Sequence, residues 1–150
     1  MSEYKTLLLA TDFSEGSKNA VDQAIRLAKM SGARLHLLHI ITELADKRRR
    51  RIPADVIDVF IREINQHAEE DMETFKQKYF APAIAEGLEI TTEILVGSGY
   101  QDILEAAEKI PADMIIMGVH SRSGLERALV GSMAERVVSH SSIPVLTVRD

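Results

Sequence analysis

Apolar positions along this chain switch repeatedly between short continuous runs and a spacing near 3.6 residues. Thr6-Leu-Leu-Leu-Ala10 reads as a strand buried on both faces. Ser14 to Ser31 reads as a helix whose inner face is Ala20, Val21, Ala24, Ile25, Leu27 and Ala28, with Gly32 as its stop. Leu35 to Ile41 is the second strand. A polar, basic connection leads to a long amphipathic helix from Ala54 to about Phe80, with the stripe Ile57, Phe60, Ile61, Ile64, Ala68, Met72, Phe75 and Tyr79. Pro82 is expected to end or kink it.

The second half repeats the alternation. Glu89 to Val96 is a strand with one drier face, which suits a sheet edge. Gly97-Ser-Gly99 turns into a helix from Tyr100 to Lys109, and Pro111 follows its end. Met114 to Met117 is the fourth strand, Ser132 to His140 a short helix, and Ile143 to Val148 the last strand. This order predicts an α/β fold, one open parallel sheet with right-handed crossovers and helices on both faces, filling a single domain over residues 1–150. Ligands in such sheets bind beyond the carboxyl ends of the strands, where strand order reverses. Thr11-Asp12 after the first strand, Ile40-Ile41 in the second and Gly118 after the fourth lie at such ends. They line one crevice if strands one and four are neighbours.

Composition narrows the classes. The chain has no cysteine, so disulfides and thiolate metal sites are excluded and the cytoplasm is the expected compartment. No apolar run approaches the roughly 20 residues of a membrane span, and the N-terminus lacks a signal-peptide layout. A net charge of -5 argues against a nucleic-acid binder. Small-molecule and protein partners are left.

The chemistry concentrates after the fourth strand. Gly118-Val-His-Ser121, nine further residues and Gly131-Ser132 connect a buried strand to a helix start. Backbone N–H groups at such a junction are unpaired and aligned with the helix dipole, which suits phosphate. With these residues the chain resembles the ATP-binding branch of the universal stress protein family, whose nucleotide motif is Gly-x2-Gly-x9-Gly-(Ser/Thr). Here the pattern is Gly118-x2-Ser121-x9-Gly131-Ser132, followed by Ala134-Glu135, and the likeness runs from Leu7 to Val148.

The resemblance implies a Rossmann-like fold of the adenine nucleotide alpha hydrolase type, with strand order 3-2-1-4-5. The implied cofactor is ATP, or ADP or AMP, with or without Mg. Asp12, beside Thr11, resembles the acidic residue that contacts the nucleoside, and Ile40 the aliphatic residue near adenine. Gly118, preceded by Met117, resembles one wall of the phosphate cradle, and Gly131, Ser132 and Met133 the other. His120 and Arg122 share the loop and could reach phosphate. Ser121 departs from the family's glycine. If that position needs a positive φ, serine costs roughly 1–2 kcal/mol, about tenfold in affinity, part of which its hydroxyl could recover by donating to phosphate.

Other features admit plainer readings. Asp12 could instead cap the first helix, as could Ser14. Gly97 and Gly99 suit a turn better than a phosphate site. Lys47-Arg-Arg-Arg-Arg51 is either a solvated loop or a docking patch for an acidic partner, a membrane surface or phosphates. His36 and His39 fall on opposite faces of a strand and cannot form a compact metal pair. No P-loop and no nucleophile elbow are present.

The last strand is apolar on both faces at Ile143, Val145, Leu146 and Val148. An apolar edge needs a partner, and pairing across a two-fold axis would make a homodimer, as the resemblance also implies. The expectation is a nucleotide-dependent regulatory protein rather than an enzyme, with a protein partner such as a transporter or an enzyme. Slow ATP hydrolysis or autophosphorylation, and a nucleotide-free interaction module, are the alternatives.

Overall fold

A computed structural model of the chain describes residues 3–14, 17–42, 53–119 and 133–149. Five parallel strands are ordered β3-β2-β1-β4-β5. They are β1 (Thr6–Ala10), β2 (Arg34–Ile41), β3 (Ile90–Val96), β4 (Met114–Val119) and β5 (Val145–Arg149). The helices are α1 (Lys18–Ser31), α2 (Ala54–Ala85), α3 (Tyr100–Lys109) and α4 (residues 133–140). The expected sheet order and the α/β alternation are observed.

Strand alternation sorts the core into two layers. Leu7, Leu9, Leu35, Leu37 and Ile116 face α1 and α2, where they meet Ala20, Val21, Ala24, Ala28, Met72, Phe75 and Phe80. Leu8, Leu38, Ile115 and Met117 face α3 and α4, against Ile103, Ala106, Ala107, Ala134 and Val137. Both faces of β1 and β4 are therefore dry, which is why they read as unbroken apolar runs. Full burial of each leucine or isoleucine contributes about 1.5–3 kcal/mol.

Several boundaries differ from the sequence reading, each for a local reason. Helix α1 starts at Lys18 rather than Ser14, because Ser14, Ser17 and Asp12 engage one another's backbone ahead of it. Helix α2 runs through Pro82 to Ala85. Proline there removes one backbone hydrogen bond, while buried Phe80 and Ala83 keep the last turns on the core. Its stop is a Schellman arrangement in which Leu88 N–H donates to Ala83 and Gly87 N–H to Ile84, with Gly87 at φ 107°. The first turns of α2 are less covered than their stripe suggests: Phe60 is 37% exposed.

Strand β4 extends to Val119, so Gly118 lies inside it, paired with Val148, and not after it. Strand β5 begins at Val145 rather than Ile143, since Ser141 Oγ ties back to the Ile143 backbone and Pro144 has no N–H.

The amino ends of the central strands are pinned by Asp113. Its Oδ2 accepts from Lys5 N–H at 2.8 Å and Thr6 N–H at 3.0 Å, and Asp113 N–H donates to Thr6 O at 2.8 Å. Asp113→Ala is expected to cost about 1–2 kcal/mol, as these charge-assisted bonds are partly exposed. A lower urea midpoint with an unchanged slope is the corresponding readout.

Candidate functional site at the carboxyl end of β1

Strand lengths make a notch in the sheet. Ala10, the last residue of β1, pairs with Leu38 on one side and Met117 on the other. Beyond those partners β2 continues to Ile41 and β4 to Val119, while the chain leaves β1 at Thr11. At about 3.3 Å per residue the flanking strands project roughly 7–10 Å past the end of β1. The connection from β1 leads to β2 and that into β4 arrives from the other side, so the notch lies where strand order reverses.

The floor of the notch is self-supporting. Thr11 N–H donates to Leu38 O at 2.9 Å, extending the ladder by one bond. Thr11 Oγ1 accepts from Phe13 N–H at 3.0 Å, and Thr11 O lies 2.7 Å from His39 Nδ1. Asp12 is exposed, and its Oδ1 accepts from Ser14 N–H at 2.9 Å, an Asx turn. Neither Asp12 nor Ser14 is the N-cap of α1, a position held by Ser17.

Between them Phe13 adopts φ 65°, the only positive φ of a non-glycine among the described residues. A left-handed bulky residue costs roughly 1–2 kcal/mol and persists only where its surroundings enforce it. Here the ring stacks 4.3 Å from His39 and meets Phe75 edge-on at 5.6 Å. The strained residue turns the backbone so that Asp12 stands at the mouth of the notch. Sequence reasoning missed Phe13 and His39, because nothing in their spacing signals a left-handed aromatic.

Other candidate residues take distinct places. Ile40 is half-buried on the α3 side of β2, beside Leu95, and forms one apolar wall. Val119, at the end of β4, forms the opposite wall and was not singled out from the sequence. Met117 is only 6% exposed and packs in the core, so it supports the floor from below rather than lining the opening. Gly118 has no side chain at the first β4 position past the end of β1. Met133, at the start of α4, reaches the β3–α3 turn, its Cε lying 3.2 Å from where a Cβ on Gly99 would stand. His120, Ser121, Arg122, Gly131 and Ser132 lie outside the described residues, as does the basic run Lys47–Arg51.

Gly97 and Gly99 serve the turn. Asp102 Oδ2 accepts from Ser98 N–H at 2.8 Å and Gly99 N–H at 3.0 Å, capping α3 and occupying donors that a phosphate would need. A Cβ on Gly97 would fall 2.3 Å from that carboxylate. His36 and His39 do face opposite sides of β2, and no group of three or more His, Cys, Asp or Glu among the described residues could hold a metal ion. Among the same residues no helix is long and apolar enough to cross a membrane.

A separate cavity of about 360 Å³ lies at the opposite end of the sheet, lined by Lys29, Arg34, Glu86 and Glu89 among others. Lys29 and Glu86 are ion-paired there. Lying at the amino ends of β2 and β3, it is on the wrong side for a switch-point ligand.

Known proteins share this fold. Universal stress protein MJ0531 of Methanocaldococcus jannaschii is 33% identical, over 97% of this chain and 82% of its own length. The structure of MJ0577 from the same organism superposes with a TM-score of 0.81 at 29% identity, covering 99% of this chain and 98% of that one. A universal stress protein in complex with cAMP shares the fold, with a TM-score of 0.70, 23% identity and 99% of each chain covered. The model of the universal stress protein family matches residues 3–149, and the chain belongs to that family.

Proposed function

We propose that this chain binds an adenine nucleotide in the notch above β1 and acts as a nucleotide-dependent regulatory protein. The observation that carries the reading is the notch itself: apolar Ile40 and Val119 flank it, and a carboxylate stands at its mouth on a strained, braced loop. Apolar walls with a few placed polar groups suit a flat heterocycle joined to a polar sugar. Asp12 would accept hydrogen bonds from ribose hydroxyls or the adenine amino group. That a fold relative is held in complex with cAMP supports an adenine ligand.

The phosphates fall, on this reading, to the segment carrying His120, Ser121, Arg122, Gly131 and Ser132, with Gly118 leading into it. Mg would be held by the phosphates themselves. ATP, ADP and AMP share the nucleoside and differ only in how far they extend along that segment. Binding rather than turnover is the assigned role. His39 is committed to the Thr11 carbonyl and the Phe13 ring, and so shapes the loop instead of serving as a base.

Regulation would follow if nucleotide favours one arrangement of the chain after β4 and a protein partner reads it, a population shift set by differential affinity. The cytoplasm is the proposed compartment. Strand β5 forms one edge of the sheet, with half-buried Val145, Leu146 and Val148. A second copy pairing there would cover them, giving a homodimer of twice 16.7 kDa in sedimentation.

Denaturing the purified protein and weighing the released small molecules tests the ligand. Stoichiometric adenine nucleotide, or its uptake from millimolar ATP, is expected. Release of no nucleotide together with no uptake would contradict the reading.

A further inference from the structure

On the α3 side of the sheet, well away from the notch, three side chains form a relay that the nucleotide reading does not use. His36 on β2 is 7% exposed, and its Nδ1 lies 2.6 Å from Thr91 Oγ1 on β3. Its Nε2 lies 2.9 Å from Glu93 Oε1, whose side chain is 33% exposed. Thr91 itself is exposed. His36 and Thr91 are register partners, and Glu93 is two residues further along β3, so all three share one face.

The partners decide the tautomer. An ionised carboxylate can only accept, so Glu93 holds the imidazole proton on Nε2. Nδ1 is then a bare acceptor aimed at the threonine hydroxyl. Hydroxyl, imidazole and carboxylate in this sequence are the elements of an activated nucleophile, recognised by geometry and not by chain position. We propose that Thr91 is a nucleophile activated by His36, with Glu93 as the positioning residue, and that it accepts acyl groups from small activated esters.

In the reaction, Thr91 Oγ attacks the ester carbonyl and forms a new C–O bond as its proton passes to His36 Nδ1. The bond from the carbonyl to the leaving oxygen breaks, and that oxygen takes the proton from His36 as it departs as an alcohol or phenol. Acyl-threonine is left. Water attacking with His36 as base would release the carboxylic acid and restore Thr91. The nucleotide notch is not the donor site. Ile40 pairs with Leu95, four positions along β3 from Thr91, or about 13 Å away.

General-base assistance of this kind supplies about 100-fold or more. The test treats the full chain with p-nitrophenyl acetate and locates acetyl groups by peptide mass spectrometry after an acid quench. Thr92 is the internal reference, since it is equally an exposed threonine but points to the other face. Acetylation at Thr91 is expected about 100-fold faster than at Thr92, and His36→Gln should bring it to the Thr92 rate. Thr91→Ser should keep the reaction at that position and Thr91→Val abolish it.

If His36→Gln does not fold, nitrogen NMR of the His36 ring in the unaltered protein decides the matter. The neutral ring should carry its proton on Nε2, and Glu93→Gln should reduce both that preference and the labelling rate. Equal rates at Thr91 and Thr92, a neutral proton on Nδ1, or a rate unmoved by Glu93→Gln would each overturn the proposal.

Discussion

Asp12→Asn is expected to weaken ATP binding about tenfold while keeping the Asx turn to Ser14. The two halves of that expectation come from different atoms of one side chain. Asp12 Oδ1 accepts from Ser14 N–H at 2.9 Å, and an asparagine carbonyl can accept the same bond. The Asx turn therefore survives. What asparagine removes is the charge, and hydrogen bonds to a charged group contribute about 1.5–3 kcal/mol, a factor of ten or more in affinity.

Asp12→Ala separates the terms from the other side. It removes both the carboxylate and the turn, so affinity should fall by up to about 100-fold and stability by about 1 kcal/mol. Calorimetric titration read beside urea denaturation of both variants gives the comparison. Unaltered affinity in the asparagine variant would remove Asp12 from the binding site and leave it a turn former.

Phe75→Ala is expected to have the largest effect on stability and to weaken nucleotide binding without touching the notch. Phe75 is 4% exposed, with ring contacts to Phe13, Tyr79 and Phe80 at 5.6, 5.1 and 5.9 Å. Truncating a buried phenylalanine costs about 3–5 kcal/mol, a large share of the 5–15 kcal/mol typical of a domain. The same change frees one side of the Phe13 ring. Phe13 is held at φ 65°, against a cost of roughly 1–2 kcal/mol, by its ring contacts with Phe75 and His39 and by its N–H bond to Thr11 Oγ1. Loss of that brace lets the loop relax and Asp12 swing from the mouth of the notch. Reduced affinity at a temperature where the variant is still folded, measured by titration, is the distinguishing result. Wild-type affinity in the folded variant would show that the brace does not govern the site.

These effects show where the sequence was legible. Leu7-Leu-Leu9 and Met114 to Met117 announced themselves because strands dry on both faces leave no polar gaps. Strand order 3-2-1-4-5 came from the family resemblance, since periodicity alone cannot say that β1 neighbours β4. Helix α3 kept its predicted bounds because Asp102 and the two glycines define its start.

The start of α1 was misread since Asp12, Ser14 and Ser17 are all good caps by type. Only the observed bonds show that Asp12 and Ser14 spend their polar groups in the preceding turns. Pro82 was expected to end or kink the helix; α2 instead runs on to Ala85, with buried Phe80 and Ala83 holding its last turns on the core.

At the candidate site, Asp12 and Ile40 could be located in advance because strand ends are readable and the switch-point rule assigns them a role. The notch depth was not readable, because it depends on β1 being shorter than both neighbours. Gly118 illustrates this: read as the residue after a strand, it is instead part of β4, which makes the wall at Val119 possible. Phe13 was invisible for a different reason. Its strain is imposed by Phe75, far along the chain, and local propensity would never choose it.

The central claim is that an adenine nucleotide sits at the carboxyl end of β1, and amide NMR during an ATP titration tests it most directly. Saturable shifts concentrated at Thr11, Asp12, Ile40, Gly118 and Val119 are the predicted result. No shifts at millimolar ATP, or shifts gathered around Lys29, Arg34 and Gly87 at the other end of the sheet, would contradict it.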